Sequence, residues 1–135
     1  MTVEHSSHAR YDLTYHVAFG TKYRKSVWHS PEAQAGVEAI FRDIAQHYDL
    51  EISTMAVLPD HVHFLLAAPP RIAPARAIQI LKSLSTRRLF QQFPWPRQQY
   101  WGGEIWIAGY FIRSVGPGLT VEQITTYITE QSAEK

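Results

Sequence analysis

Two histidines one residue apart, His61 and His63, stand inside the apolar run Asp60-His61-Val62-His63-Phe64-Leu65-Leu66. Residues two apart on a β-strand point to the same face, so both imidazoles emerge side by side while Val62 and Phe64 turn the other way. Two imidazoles at that spacing can grip one divalent ion through neutral ring nitrogens. Taken alone, a His-x-His pair is as readily two hydrogen-bonded sheet histidines, so the rest of the chain has to decide. A second pair with chemical potential lies near the C-terminus. Tyr127 and Gln131 sit one turn apart at the margin of a helix whose narrow apolar face is Val121, Ile124 and Ile128. A tyrosine there is ordinarily packing, but this one has a polar partner one turn on. Its helix also follows the flexible break Gly116-Pro117-Gly118 and opens with Thr120 and Gln123 in capping-box spacing.

These residues need elements to carry them. Tyr11 to Phe19 alternates as a strand, with Leu13, Tyr15, Val17 and Phe19 on one face and Asp12, Thr14, His16 and Ala18 on the other. His16 is thereby a third histidine within reach of the pair, although a lone strand histidine is more often structural. Ser30-Pro31 caps and opens a helix whose stripe is Val37, Ile40, Phe41, Ile44 and Tyr48, and Asp49 ends it. Leu50 to Leu58 reads as a second strand. The short break Pro59-Asp60 forces it to pair antiparallel with the histidine strand. A second helix runs from Pro74 to Gln92 with Ala77, Ile80, Leu81 and Leu84 buried, and Arg88 falls on the same stripe. Phe93 to Gly103 reads as a loop because Pro94, Pro96 and two glycines break it. Its aromatics either stack on unpaired bases or plug the end of the core, the second being favoured. Ile105 to Val115 reads as a fourth strand. Strand, helix, strand, strand, helix, strand predicts an α+β fold, a ferredoxin-like or RRM-like antiparallel sheet with helices packed on it. A C-terminal helix follows over residues 119–134.

Composition bounds the class. A chain of 135 residues with 45% hydrophobic and 19% charged residues suits one globular domain, here 1–135 with a polar tail at 1–10. It has no cysteine, which excludes disulfides and thiolate metal sites. It shows no apolar run that would span a bilayer and no leader, so a cytoplasmic protein is expected. Net charge is only +1, yet it is unevenly spread. Arg71, Arg76, Lys82, Arg87, Arg88, Arg97 and Arg113 face Glu104 alone between Pro70 and Arg113, and Lys22, Arg24 and Lys25 form a second basic knot. Either cluster can be a solvated face; together they suit a polyanion bound on one surface.

Taken in order, Lys22-Tyr23-Arg24-Lys25, Leu58 to Leu66, Leu81-Lys82-Ser83, Tyr110 to Gly116 and Tyr127-x-x-x-Gln131 resemble the single-tyrosine HUH transposases of small bacterial insertion sequences. These are the TnpA type, including the REP-associated tyrosine transposases. The likeness spans about Tyr11 to Gln131, departing in the polar tail and the Trp-rich, proline-broken stretch. It implies that His61, His63 and Gln131 hold one Mg2+ or Mn2+, with no organic cofactor, and that Tyr127 on a hinged helix is the nucleophile. It implies cleavage and rejoining of single-stranded DNA near hairpin-bearing ends through a 5′-phosphotyrosine link. The partners it implies are such DNA and a homodimer able to exchange the C-terminal helices, in a bacterial cytoplasm and on the nucleoid when bound to DNA. Hairpin contacts are expected among Lys22, Arg24, Lys25, Lys82, Arg87 and Arg88. Two rivals remain. A non-catalytic nucleic-acid module accounts for the sheet and the charge but not for the four site residues together. A metal-dependent phosphodiesterase accounts for the histidines and leaves Tyr127 idle.

Overall fold

The computed structural model describes residues 4–5, 10–11, 13–99 and 103–115. Glu4–His5 (β1) pairs antiparallel with Arg10–Tyr11 (β2), a short ribbon within the stretch that reads as a polar tail. Thr14–Gly20 (β3) is followed by a tight turn at Lys22–Arg24 and then by Pro31–His47 (α1). The Ser30 hydroxyl accepts a hydrogen bond from the Ala33 N–H at 3.0 Å, and Pro31 holds the first helical position, where its missing N–H costs nothing. The stripe Val37, Ile40, Phe41 and Ile44 is buried as expected. Tyr48 instead falls at the C-cap and stays exposed, because Asp49 turns the chain through a left-handed residue (φ 59).

Glu51–Leu58 (β4) and His61–Ala67 (β5) form the expected antiparallel hairpin, with Leu58 opposite His61 and Ala56 opposite His63. Pro74–Gln92 (α2) keeps the bounds read from the sequence, and its buried set includes Ile78 and Leu89 as well as Ala77, Ile80 and Leu81. Two expectations fail beyond it. Pro94–Gln99 (α3) is a short helix rather than loop: Pro94 opens it in the same way that Pro31 opens α1. The last strand is only Phe111–Ser114 (β6), not Ile105 to Val115. Ile105 and Trp106 are buried but leave the ladder after a single bridge, Thr21 to Trp106. The carbonyls of Ile107, Ala108 and Gly109 then bend toward the Lys82 ammonium, at 2.6, 3.2 and 2.8 Å. Turned to the cation, these carbonyls point away from the N–H groups of a neighbouring strand.

The sheet order is β4-β5-β3-β6, all antiparallel, which is the split βαβ arrangement expected. Both long helices cover one face. There Phe19, Phe41, Phe64 and Trp106 meet ring to ring at 5.1 to 6.1 Å, with Val17, Val62 and Leu81 around them. Phe93 plugs the end of this core against Trp28 at 6.4 Å. Gly36 of α1 makes that possible, since a Cβ there would lie 2.7 Å from the Phe93 ring. Among the described residues no helix is long and apolar enough to cross a membrane.

Candidate active site

Alternation on β5 sends Val62, Phe64 and Leu66 into the core and His61, His63 and Leu65 to the opposite face. The β3 register sets Ala18 beside His63, and His16 follows on the same face. Phe111 and Arg113 of β6 stand opposite Ala18 and His16 and complete this side of the sheet. Three histidines therefore share one patch, with His61 and His63 ring centroids 4.9 Å apart and His63 stacked on His16 at 5.5 Å. Leu65, Leu58, Ala56 and Val115 form a small buried cluster beside them.

Each member of the pair has its Nδ1 engaged. His61 Nδ1 bonds the Asp60 carboxylate at 2.7 Å, and His63 Nδ1 bonds His16 Nε2 at 3.3 Å. In the tautomer that donates from Nδ1, each ring offers Nε2 with its lone pair, the form in which an imidazole binds a metal. Asp60 is itself fixed. Its other oxygen accepts from the Arg24 Nε and terminal nitrogen at 3.3 and 3.2 Å. Burial alone would raise the Asp60 carboxyl, but the His61 hydrogen bond and the Arg24 charge bring it below its ordinary value. His63 is pushed down to about 4, first by burial and then by His61, His16 and Arg24, and His16 is lowered by burial and Arg113. His63 is thus neutral at physiological pH.

The turn carrying Arg24 is tied to the same corner. The Thr21 N–H donates to the Asp60 carbonyl at 2.9 Å, the Thr21 hydroxyl to the Lys25 carbonyl at 2.7 Å, and Val27 and Trp28 N–H groups to Pro59 at 2.8 and 3.1 Å. Gly20 leaves room for the Arg24 stem, whose Cδ would lie 2.7 Å from a Cβ at that position. Tyr23 and Arg24 both hold left-handed backbone, at φ 64 and 50. Each costs about 1–2 kcal/mol in an L-residue, so the surrounding bonds must hold them there.

The basic residues expected to meet DNA divide. Lys22, Arg24 and Lys25 gather at the histidine end of the sheet, with Arg24 paired to Asp60. Lys82 is spent on the 107–109 carbonyls, and burial lowers its amine below the usual lysine value while Glu104 partly offsets this. Arg88 pairs with Asp43 of α1 at 2.6 Å, and Arg87 is exposed on the helix surface. Sequence reasoning missed Asp60 as the partner of His61; an acid directly before a ligand-spaced histidine was the available signal. Tyr127, Gln131 and the 119–134 helix lie outside the described residues. Among the described residues no group of three or more His, Cys, Asp or Glu side chains gathers as a metal cage. The donor set there is two imidazoles, which suits an ion whose remaining ligands come from elsewhere in the chain, from water or from substrate.

The split βαβ sheet carries a histidine–hydrophobe–histidine strand whose imidazoles lie on the face turned away from both long helices, and the chain matches small transposases. The family described as "Transposase IS200 like" matches residues 9–131, and the chain belongs to that family. It is 41% identical over 121 residues to the ISDra2 transposase TnpA of Deinococcus radiodurans, covering 90% of this chain and 85% of that protein. It is 30% identical over 128 residues to the transposase for insertion sequence element IS200 of Salmonella typhimurium, covering 95% and 82%. A crystal structure of a transposase from Deinococcus radiodurans superimposes with a TM-score of 0.75 at 38% identity, covering 95% of this chain and 97% of that one. A REP-associated tyrosine transposase bound to a REP hairpin gives a TM-score of 0.67 at 16% identity over 96% of this chain and 74% of that one, a likeness of fold. The protein is accordingly an enzyme that cuts and rejoins DNA.

Proposed function

We propose that this transposase cleaves and rejoins single-stranded DNA at hairpin-bearing ends, with Tyr127 as nucleophile beside one Mg2+ or Mn2+ held by His61, His63 and Gln131. The observation that carries the reading is the pair of imidazoles on the face of the sheet turned away from the two long helices, each engaged through Nδ1. The hairpin in the related REP-associated enzyme supports the choice of DNA. When bound, the ion would polarise the scissile phosphate and offset charge developing on its oxygens.

The chain's own residues do the rest. The Tyr127 oxygen attacks phosphorus, the new bond is O–P to the phenol, and the P–O3′ bond breaks. The phenolic proton ends on the departing 3′ oxygen, leaving a 5′-phosphotyrosine and a free 3′-hydroxyl. A free phenol has a pKa of about 10, so loss of that proton is part of the barrier. The phosphodiester energy is retained in the link, and a second 3′-hydroxyl reverses the step to join new ends. His63, neutral in its buried site, offers Nε2 without first losing a proton, and Asp60 and His16 fix the ring planes of His61 and His63. A homodimer with exchanged C-terminal helices, hinged at Gly116-Pro117-Gly118, belongs to the same proposal.

The test is a hairpin-bearing DNA single strand incubated with protein and Mn2+ or Mg2+, then run on a denaturing gel. A covalent protein–DNA adduct that disappears in Tyr127→Phe and in His63→Ala is the expected result. Cut DNA without adduct would assign a hydrolase instead, and neither product would leave a binding module.

A further inference from the structure

We infer that Tyr23 is a stacking platform for one unpaired base of the DNA strand, next to the scissile phosphate. The residue is 74% exposed, on a turn none of whose residues is buried. Exposure of so large an apolar face is unfavourable, and two consecutive left-handed residues are needed to present it. That geometry is fixed at the site itself, through Thr21 to the Asp60 carbonyl and through Arg24 to the carboxylate that orients His61. The Lys22 and Lys25 ammonium groups lie over the ring, 5.6 and 5.8 Å from its centroid, and Lys22 is also 3.9 Å from the Glu104 carboxylate. An exposed π-face with two cations on flexible stems over it matches a nucleotide of a single strand, the base taking the ring as the amines swing to the flanking phosphates. A duplex hides its base faces in the stack, so the platform selects single strands. Only the location beside the scissile phosphate rests on the proposed function; the stacking itself does not.

The experiment reads binding without cleavage. Fluorescein-labelled twelve-nucleotide oligo-dT and a blunt duplex of equal length are titrated with the full chain in EDTA, and a single 2-aminopurine is moved along the strand. Tyr23→Ala is expected to weaken single-strand binding roughly 5- to 150-fold, the range found for one stacked base. Duplex affinity stays within about 2-fold, and the slope of affinity against salt is unchanged because no phosphate contact is lost. Tyr23→Trp restores binding, and 2-aminopurine is quenched at one position in the wild type alone. Circular dichroism confirms that the variants fold. Unchanged single-strand affinity in Tyr23→Ala overturns the inference, as does an equal loss for single strand and duplex. A change in self-association with DNA binding intact would assign the ring to a second copy and also overturn it. Loss of the adduct reading at Tyr127 would show in the gel and leave these affinities untouched, so the two failures are distinct.

Discussion

His63 makes acidification costly in a way that can be worked from its surroundings. The ring is 9% exposed, and burial, His61, His16 and Arg24 together hold its pKa at about 4 against 6.5 in an open chain. Well above pH 6.5 the residue is neutral folded and unfolded, so it contributes no pH dependence there. Below that value the unfolded chain takes up a proton the folded protein refuses, and stability falls until the folded pKa is passed. At pH 5 the unfolded ring is almost fully charged and the folded one mostly neutral, a loss of about 2 kcal/mol relative to pH 7. His16 is shifted the same way and adds to the loss. Urea unfolding with EDTA present is the assay. With a slope of about 2 kcal/mol per molar, the midpoint should drop by roughly 1 M between pH 7 and pH 5. His63→Asn should show a much smaller drop over the same interval. If the variant loses as much stability as the wild type, or if the wild type loses less than about 0.5 kcal/mol, the burial and charge argument for His63 is refuted.

Asp60→Asn removes the charge that holds the His61 ring and releases Arg24, so Mn2+ affinity should fall about 10- to 100-fold, as measured by the free-ion EPR signal without DNA. Wild-type affinity in that variant would rule out Asp60 as the orienting group. Lys82→Met should destabilise the protein by about 1–3 kcal/mol, the worth of bonds to a charged donor, and speed hydrogen exchange at the amides of residues 107–110. Its salt dependence of DNA binding should match wild type, whereas a phosphate contact would lower the slope by about one; a lowered slope would return Lys82 to the DNA.

Short-range signals were legible in the sequence, and partners brought together by packing were not. Ser30-Pro31 and a helical stripe gave α1, the bounds of α2 matched, and period-two alternation with a two-residue break gave the β4–β5 hairpin and the facing of both histidines. The same logic failed at 105–110, because an apolar run cannot announce that an amine on α2 will draw its carbonyls out of the ladder. It failed at Pro94, where two prolines in three residues look like a break although both fit a first helical turn. Arg88 shows the difficulty with charge patterns. On the helix it stands at the stripe's edge as if free for a phosphate, while its partner Asp43 lies 45 residues away on α1. His16 was visible as a strand histidine, but its contact with His63 depends on a β3–β5 register that only tertiary pairing sets.

Asp60 explains why the turn and the site behave as one unit. One carboxylate oxygen accepts from His61, the other from Arg24, and its backbone carbonyl accepts from Thr21. The strained Tyr23–Arg24 backbone and the ring plane of His61 are thus fixed by a single residue at the mouth of a hairpin, itself pinned through Pro59 to Val27 and Trp28. On the proposed function, a strand of DNA that engages the basic turn would press on the group that orients the imidazole. Binding at Tyr23 and alignment at His61 would then share Asp60 as a support, so a substitution at Asp60 should disturb both, while one at Tyr23 that leaves Arg24 in place should disturb binding alone.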